Sequence, residues 1–263
     1  MVKFFGILNI TPDSFSDGGK FYDVKSALNH LEQLINYGAD VIDIGAESTR
    51  PGATPINAET EWNRLKEILP KIINQIKINH PQIEISLDSR HHQTIAKALD
   101  LGIDIINDVS GFDDDNMIQL AAQSGKKIVV MHNLGVPSDK NKIIPEDLDV
   151  VEVLLNFMKV KLEKLEKAGI KKEKIIFDPG IGFGKNAKQS IYILENIEKL
   201  QRLEIPILIG HSKKSFLDEM DFGQSKTREE KTILVSANLA KRGVGYLRVH
   251  DVRKNKMNGL NLI

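Results

Sequence analysis

Residues 4–19 read FFGILNITPDSFSDGG, and this stretch decides the fold. Phe4 to Leu8 are mostly apolar with one glycine among them, and Asn9 and Ile10 follow. From Thr11 to Lys20 every residue except Phe15 is Gly, Pro, Ser, Thr, Asp or Lys. One buried strand therefore empties into a polar loop. A strand that ends in an amide and opens into a loop carrying Asp13, Ser14, Ser16, Asp17 and a lone Phe15 presents polar groups to a ligand, as barrel strands do at one end. A single strand also fits an ordinary surface turn, so the weight falls on recurrence.

The unit does recur. An apolar run of about five residues ends in a polar residue, and a loop, a helical pattern and a glycine precede the next run. The glycines of Tyr37-Gly38-Ala39, Leu101-Gly102-Ile103, Ser124-Gly125-Lys126, Ala168-Gly169-Ile170 and Arg242-Gly243-Val244 stand where helices should stop, because glycine reaches the left-handed conformation that turns a helix into a strand. The predicted strands are about 4–8, 41–44, 83–87, 103–106, 127–131, 174–177, 205–209 and 246–249. The predicted helices are 24–37, a long one over 58–79 carrying Trp62, 91–101, 116–124, 150–168, 189–202 and 228–242. Asp23, Asn57, Ser89 and the capping box Thr227 to Glu230 mark starts. Within the charged stretch 159–174, Val160, Leu162, Leu165 and Ala168 are expected to face inward from a solvated helix. Eight alternating units of about 30 residues predict a single-domain (β/α)8 TIM barrel over residues 1–263, with a short last helix.

Composition bounds the function. The 36 basic and 36 acidic residues cancel, so no global field attracts nucleic acid or an anionic membrane. Absence of cysteine excludes disulfides, thiolate metal sites and cysteine nucleophiles. Met1 leads almost directly into the first strand and no 18-residue apolar run occurs, which predicts a soluble cytoplasmic protein.

The strand ends carry Asn9, Asp43, Asp88, Asn107 with Asp108, Met131 with His132, Asp178, Ser212 with Lys213 and Lys214, then Arg248 and His250. One carboxylate at a strand end is often a helix cap, but a ring drawn from separate strands is a binding site. Asp88, Asn107 and Asp178 offer acceptors to a heterocycle rich in N–H groups, and Met131 offers a flat apolar contact. Arg50, Lys214, Arg248 and His250 form a cationic cluster suited to phosphate or pyrophosphate. Other motifs fail. Gly180 to Lys185 has neither Walker spacing nor a dinucleotide fingerprint, and adjacent His91 and His92 point about 100° apart on a helix. With oxygen ligands alone available, a metal here should be Mg2+ bridging a pyrophosphate to Asn9.

The motifs GILNITPDSFSDGG (6–19), DIGAESTRPGA (43–53), SLDSR (86–90), INDVSG (106–111), VVMHN (129–133), DPGIGFGK (178–185), GHSKKSF (210–216) and RVHDV (248–252) together resemble the dihydropteroate synthase family. They span nearly the whole chain in that family's order. The resemblance implies a transferase of folate biosynthesis that joins p-aminobenzoate to a dihydropterin pyrophosphate and releases pyrophosphate. It implies that Asp88, Asn107, Asp178 and Lys214 hold the pterin, with Met131 packed on it. Thr49, Arg50, Arg248 and His250 would meet the pyrophosphate, and Asn9 the Mg2+. Phe15, Pro51, Phe183 and Ser215 match the p-aminobenzoate pocket that sulfonamides occupy. The catalytic group would comprise Asp178, Lys214, Arg248 and His250, with pyrophosphate leaving before the amine attacks. A buried Asp178 between two N–H donors should stay ionised, and the loops around 13–19 and 47–54 should order over the anion. Lys213 stands where the family usually has arginine, replacing a flat guanidinium with a point charge. A methyl-transferring pterin barrel shares the Asp and Asn ring but has no use for Phe15, Lys213 to Ser215 or an Arg248 and His250 clamp. A non-catalytic pterin binder is the other alternative. The resemblance further implies a homodimer, and the start of the chain permits fusion to the preceding pterin pyrophosphokinase.

Overall fold

A computed structural model of the chain describes residues 1–11, 24–139, 141–223 and 226–260, of which 257–260 by their backbone alone. The strands are β1 (Lys3–Asn9), β2 (Val41–Gly45), β3 (Glu84–Asp88), β4 (Ile105–Asp108), β5 (Lys127–Met131), β6 (Ile175–Asp178), β7 (Leu208–Ile209) and β8 (Tyr246–Val249). All pair in parallel in the order β6-β5-β4-β3-β2-β1-β8-β7. A parallel bridge between Phe177 and Ile207 joins the two ends, with Phe177 N–H donating to Pro206 O at 2.9 Å. Eight parallel strands with helices between them thus form the expected (β/α)8 barrel. The central strands are near-continuous runs of Val, Ile and Leu, because sheet and helices bury them on both faces.

The helices are α1 (Val24–Asn36), α2 (Ala58–Leu65), α3 (Leu69–Asn79), α4 (His92–Leu101), α5 (Asp115–Ser124), α6 (Val150–Lys167), α7 (Ala187–Glu195), α8 (Ile197–Gln201), α9 (Arg228–Lys241) and α10 (Val252–Leu260). All five punctuating glycines take positive φ: 84° at Gly38, 100° at Gly102, 61° at Gly125, 93° at Gly169 and 77° at Gly243. The capping box at Thr227 forms, and Asn57 caps α2. The last helix is short, as expected. Asp23 lies outside the described residues.

Four local expectations are corrected. The long helix over 58–79 breaks into α2 and α3 because Pro70, in the first turn of α3, brings no N–H and would clash with the preceding turn. The helix over 189–202 divides at Asn196, whose side-chain amide donates to Tyr192 O at 2.9 Å. His91 replaces Ser89 as the α4 N-cap, and the Ser89 hydroxyl donates to Glu61 at 2.6 Å. On α6 the inward stripe is Val150, Val151, Leu154, Leu155, Met158, Lys161 and Leu165, with Leu162 half-buried against the core, so Leu162 and Leu165 face inward as expected. Val160 lies two residues, about 200°, from Met158 and is 67 % exposed, and Ala168 is also exposed. No helix among the described residues is long and apolar enough to cross a membrane.

Candidate active site

The barrel interior follows from strand alternation. Phe5, Val41, Ile105, Val129, Ile176, Leu208 and Tyr246 form a separate buried cluster, the apolar plug. Side chains two residues apart share a face of a strand, so the next inward position of each strand is fixed. There stand Asp43, Asn107, Met131, Asp178 and Arg248 on β2, β4, β5, β6 and β8, and Gly210 just after β7. Two glycines border the cup. A Cβ on Gly45 would lie 3.7 Å from both Asn9 Oδ1 and Asp88 Oδ2, and one on Gly210 would lie 3.8 Å from Asp178 Oδ2 and 4.0 Å from Arg248 Cδ. Asn9, Asp88, Asp178 and Arg248 therefore look onto one space.

The charges interleave within it. Arg248 Nε donates to Asp43 at 2.6 Å and its Nη2 to Asp88 at 2.7 Å. The Asn107 amide donates to both oxygens of the fully buried Asp43, at 3.2 and 3.3 Å. This corrects the expectation that Arg248 belongs to a cationic cluster free to meet an anion, since it is committed to two carboxylates. Burial raises Asp88, opposed by Arg248 and supported by Asp43. Burial also raises Asp178, against the pull of Lys214, the Gly180 N–H, Arg248 and Lys185. The Gly180 N–H donates to Asp178 Oδ1 at 2.8 Å. Hydrogen bonding and the neighbouring cations oppose desolvation, as expected, but desolvation is the larger effect and the Asp178 pKa is raised from its ordinary value.

Lys214 donates to Ile181 O and places its ammonium 4.8 Å from the centre of the Phe183 ring. Burial lowers its pKa to about 8 although Asp178 opposes the shift. His250 is not the cation expected. Its Nδ1 lies 3.0 Å from Ser212 Oγ, and burial with the charges of Arg248, Lys213, Arg50 and Lys214 lowers it to about 4, so it is neutral at pH 7. Lys213, at a φ of 60°, turns outward to Glu229 on α9, 3.7 Å away.

Loops complete the rim. Thr49, Arg50 and Pro51 lie in the loop after β2, where Arg50 and Pro51 are exposed. That loop is latched by Glu47, which accepts two bonds from Arg90 at 2.8 and 2.9 Å and one from Ile56 N–H at 3.0 Å. Thr49 O accepts from Ser138 N–H at 3.3 Å, and Ser138 Oγ donates to Gly182 O at 3.3 Å, so three loops meet. Ser215 is exposed and opens a short 3-10 helix. Phe15 and the rest of the loop over 12–23 lie outside the described residues. His91 reaches Ile56 O and His92 reaches Asp114, which agrees with packing roles. Asp108 caps a turn, accepting from Ser110 and Phe112 N–H groups, and leaves the cup to Asn107.

Two participants went unassigned in the sequence. Asp43 was visible at a strand end, but nothing there showed that it holds both Asn107 and Arg248. Lys185 fell with the rejected phosphate-loop motif, and a lone lysine gave no other signal.

No group of three or more His, Asp or Glu among the described residues could hold a metal ion by itself. The donor set fits only an ion whose other ligands are phosphate oxygens and water, with the Asn9 amide oxygen as the protein's contribution.

Residues 5–250 match the family described as pterin binding enzyme. A dihydropteroate synthase from Clostridium beijerinckii is 37 % identical over 252 residues, covering 95 % of this chain and 89 % of the relative. A probable bifunctional folylpolyglutamate synthase/dihydropteroate synthase from Haloferax volcanii is 38 % identical over 250 residues, covering 95 % of this chain, which spans only 29 % of that longer relative. The crystal structure of dihydropteroate synthase from Anaplasma phagocytophilum with bound 6-hydroxymethylpterin-monophosphate superposes with a TM-score of 0.86 at 38 % identity, over 100 % of this chain and 99 % of the other.

Proposed function

Since the chain belongs to the family of pterin binding enzymes, we propose that it is a dihydropteroate synthase, condensing p-aminobenzoate with 6-hydroxymethyl-7,8-dihydropterin pyrophosphate to give 7,8-dihydropteroate and pyrophosphate. The observation that carries this reading is the convergence of Asp88, Asn107, Asp178, Lys214 and Arg248 on one cup above an apolar plug. Asp178 and the carbonyl oxygen of Asn107, whose NH2 is held by Asp43, would accept from the pterin edge, Asp88 would add an acceptor, and Met131 would lie against the ring. The Phe183 ring beside Lys214 would form a wall of the p-aminobenzoate pocket, with Pro51 and Ser215 at its rim.

The reaction asks for little covalent chemistry from the protein. Loss of pyrophosphate leaves a methylene cation that the electron-rich dihydropterin delocalises, and the weakly nucleophilic aniline nitrogen then adds. The chain's task is to orient both partners, exclude water and stabilise the departing anion. Arg248 can turn from Asp43 and Asp88 only if the ligand offers better acceptors, and a pyrophosphate does. Thr49 and Arg50 would approach from the latched loop, and neutral His250 would donate one hydrogen bond. Asn9 would help to hold Mg2+, which when bound supplies positive charge to the leaving oxygens. A homodimer in the cytoplasm, fed by the pterin pyrophosphokinase reaction, belongs to the same proposal, and a one-chain mass in sedimentation equilibrium would remove the dimer from it.

The test is pyrophosphate release from the dihydropterin substrate, followed with p-aminobenzoate present or omitted and with Mg2+ added or chelated. Release should require p-aminobenzoate and fall on chelation. Equal release without the amine would make the protein a hydrolase and sink the reading.

A further inference from the structure

The loop after β6 carries glycines at 180, 182 and 184 with φ of 67°, 76° and 65°. Two carbonyls of this loop, those of Gly180 and Phe183, point inward. Lys185, 6 % exposed, answers them: its Nζ lies 3.0 Å from Gly180 O, 2.8 Å from Phe183 O and 2.9 Å from His132 Nδ1. An ammonium has three N–H donors and no acceptor, so this arrangement uses all of them. The proton on His132 must then sit on Nε2, leaving Nδ1 as acceptor. The imidazole ring is fixed in turn by an edge contact with Phe157, ring centres 4.8 Å apart at 79°.

We propose that Lys185 is a positioning residue for the second substrate, pinning the glycine loop so that Phe183 and Ile181 O are held where Lys214 meets them. Apart from the lysine, the loop is tied by Phe183 N–H on Gly180 O at 3.0 Å, Ile144 N–H on Gly184 O at 2.9 Å and Ser138 Oγ on Gly182 O at 3.3 Å, none of which reaches the Phe183 carbonyl. Gly180 is pressed against His132 O, where a Cβ would lie at 1.9 Å, and Gly184 against Leu134, where one would lie at 2.5 Å, so the loop is packed against the segment after β5 by contact as well as by the lysine. Remove the ammonium, and Phe183 O and the His132 imidazole nitrogen lose its donation together, while Gly180 O keeps only the Phe183 N–H at 3.0 Å. Ile181 O, which receives Lys214, lies between the two pinned carbonyls. Lys185 therefore reaches Lys214 through one carbonyl and the aromatic wall through the next residue but one, without touching either substrate.

The charged and titratable groups around it are His132 after β5, Asp178 at the end of β6 and Lys214 after β7. Burial lowers Lys185 to about 7, countered by Asp178, and His132 is held to about 3 by burial and by Lys185 itself. His132 is thus neutral whenever it accepts the bond.

This inference rests on the proposed synthase activity, and its test separates the two. Wild-type protein is assayed first, because absence of amine-dependent turnover there overturns the activity and says nothing of the loop. Lys185→Met and Lys185→Cys are then compared for KM of each substrate, kcat and thermal midpoint. The KM for p-aminobenzoate should rise tenfold or more while that for the dihydropterin pyrophosphate stays within threefold, because Asp43, Asn107 and Asp178 hold the pterin side from the strands. The chain has no cysteine, so the thiol of Lys185→Cys is unique. Aminoethylation of it in denaturant followed by refolding rebuilds a side chain of lysine length and should restore the p-aminobenzoate KM. A variant that keeps this KM within twofold, or loses only kcat in proportion to its folded fraction, overturns the proposal. If neither variant folds, amide exchange of residues 182–184 in the wild type decides: protection comparable to β6 supports the pin, and exchange at exposed-loop rates overturns it.

Discussion

At the scale of the residue, alternation explains why so much of the cup was legible. Asn107, Asp178 and Arg248 each stand two positions beyond an apolar plug residue, so a polar residue ending an apolar run is a cup residue whenever the run itself is read correctly. What alternation cannot give is who bonds to whom. Arg248 reads as a free cation in the sequence because its two acceptors lie 205 and 160 residues away, and His250 reads as a cation because its neutrality comes from burial and from neighbouring charges. The consequence for Asp178 is direct. Its Oδ2 faces the cup and its Oδ1 is held by Gly180 N–H, so it presents one well-aimed acceptor to the pterin edge. Asp178→Asn keeps shape and removes that acceptor's charge, and hydrogen bonds to charged groups contribute about 1.5–3 kcal/mol. Pterin affinity should fall roughly 10- to 100-fold by this account. Titration calorimetry with 6-hydroxymethylpterin checks it, and unchanged affinity would refute the placement of the ring on Asp178.

At the scale of the element, the sequence located the strands and their terminal glycines but misjudged interruptions. Pro70 and Asn196 each divide a helix whose apolar periodicity runs on unbroken, because periodicity reports the buried face and is blind to backbone hydrogen bonding. The loop after β2 shows the reverse case. It has no periodicity at all, yet it is fixed by Glu47, whose carboxylate accepts from Arg90 and Ile56 N–H, lies 3.6 Å from His91 Nε2 and is lowered to about 2 despite the opposing effect of burial. A folded pKa below the unfolded value of 4.5 means that the stabilisation is fully present above about pH 4.5 and is lost as pH falls through about 2. The shift corresponds to on the order of 2–3 kcal/mol at neutral pH, an upper figure because the Arg90 side chain keeps 23 % exposure. Glu47→Gln should therefore lower the midpoint of urea unfolding most between about pH 5 and 6.5, with a partial decline in the difference at higher pH as His91, whose pKa Glu47 raises, gives up its proton. The difference from wild type should shrink below pH 4.5 and be nearly gone by pH 2. A difference that is independent of pH across this range would mean that the latch works by shape and not by charge.

At the scale of the whole molecule, the barrel assigns stability and chemistry to different ends of the same strands. The plug and the larger apolar layer between sheet and helices carry the burial, and the polar cup sits above them with its charges paired. This division is what lets a cup hold Asp43, Asp88, Asn107 and Asp178 at all, since each is costly to desolvate and adds nothing to apolar packing. Closure was the least legible part, because β7 has only two residues in regular pairing and the β6 to β7 join rests on a bridge and a bond to Pro206 O, the proline itself having no N–H to give. The separation can be tested where the plug is tightest. Phe5 is fully buried and meets Tyr246 edge to face, ring centres 5.4 Å apart at 86°. Phe5→Ala should cost about 3–5 kcal/mol through lost transfer energy and the cavity left behind, which for a chain of this size lowers the thermal midpoint by roughly 6–20 °C. Below that midpoint, kcat and both KM values per folded molecule should match wild type, because no plug residue reaches the cup and the strands above are held by their own ladder bonds. Calorimetry with active-site titration separates the two quantities. A loss of kcat per folded molecule at full occupancy of the native state would show that plug and cup are mechanically one unit, and that the polar layer depends on the apolar one for its geometry as well as for its support.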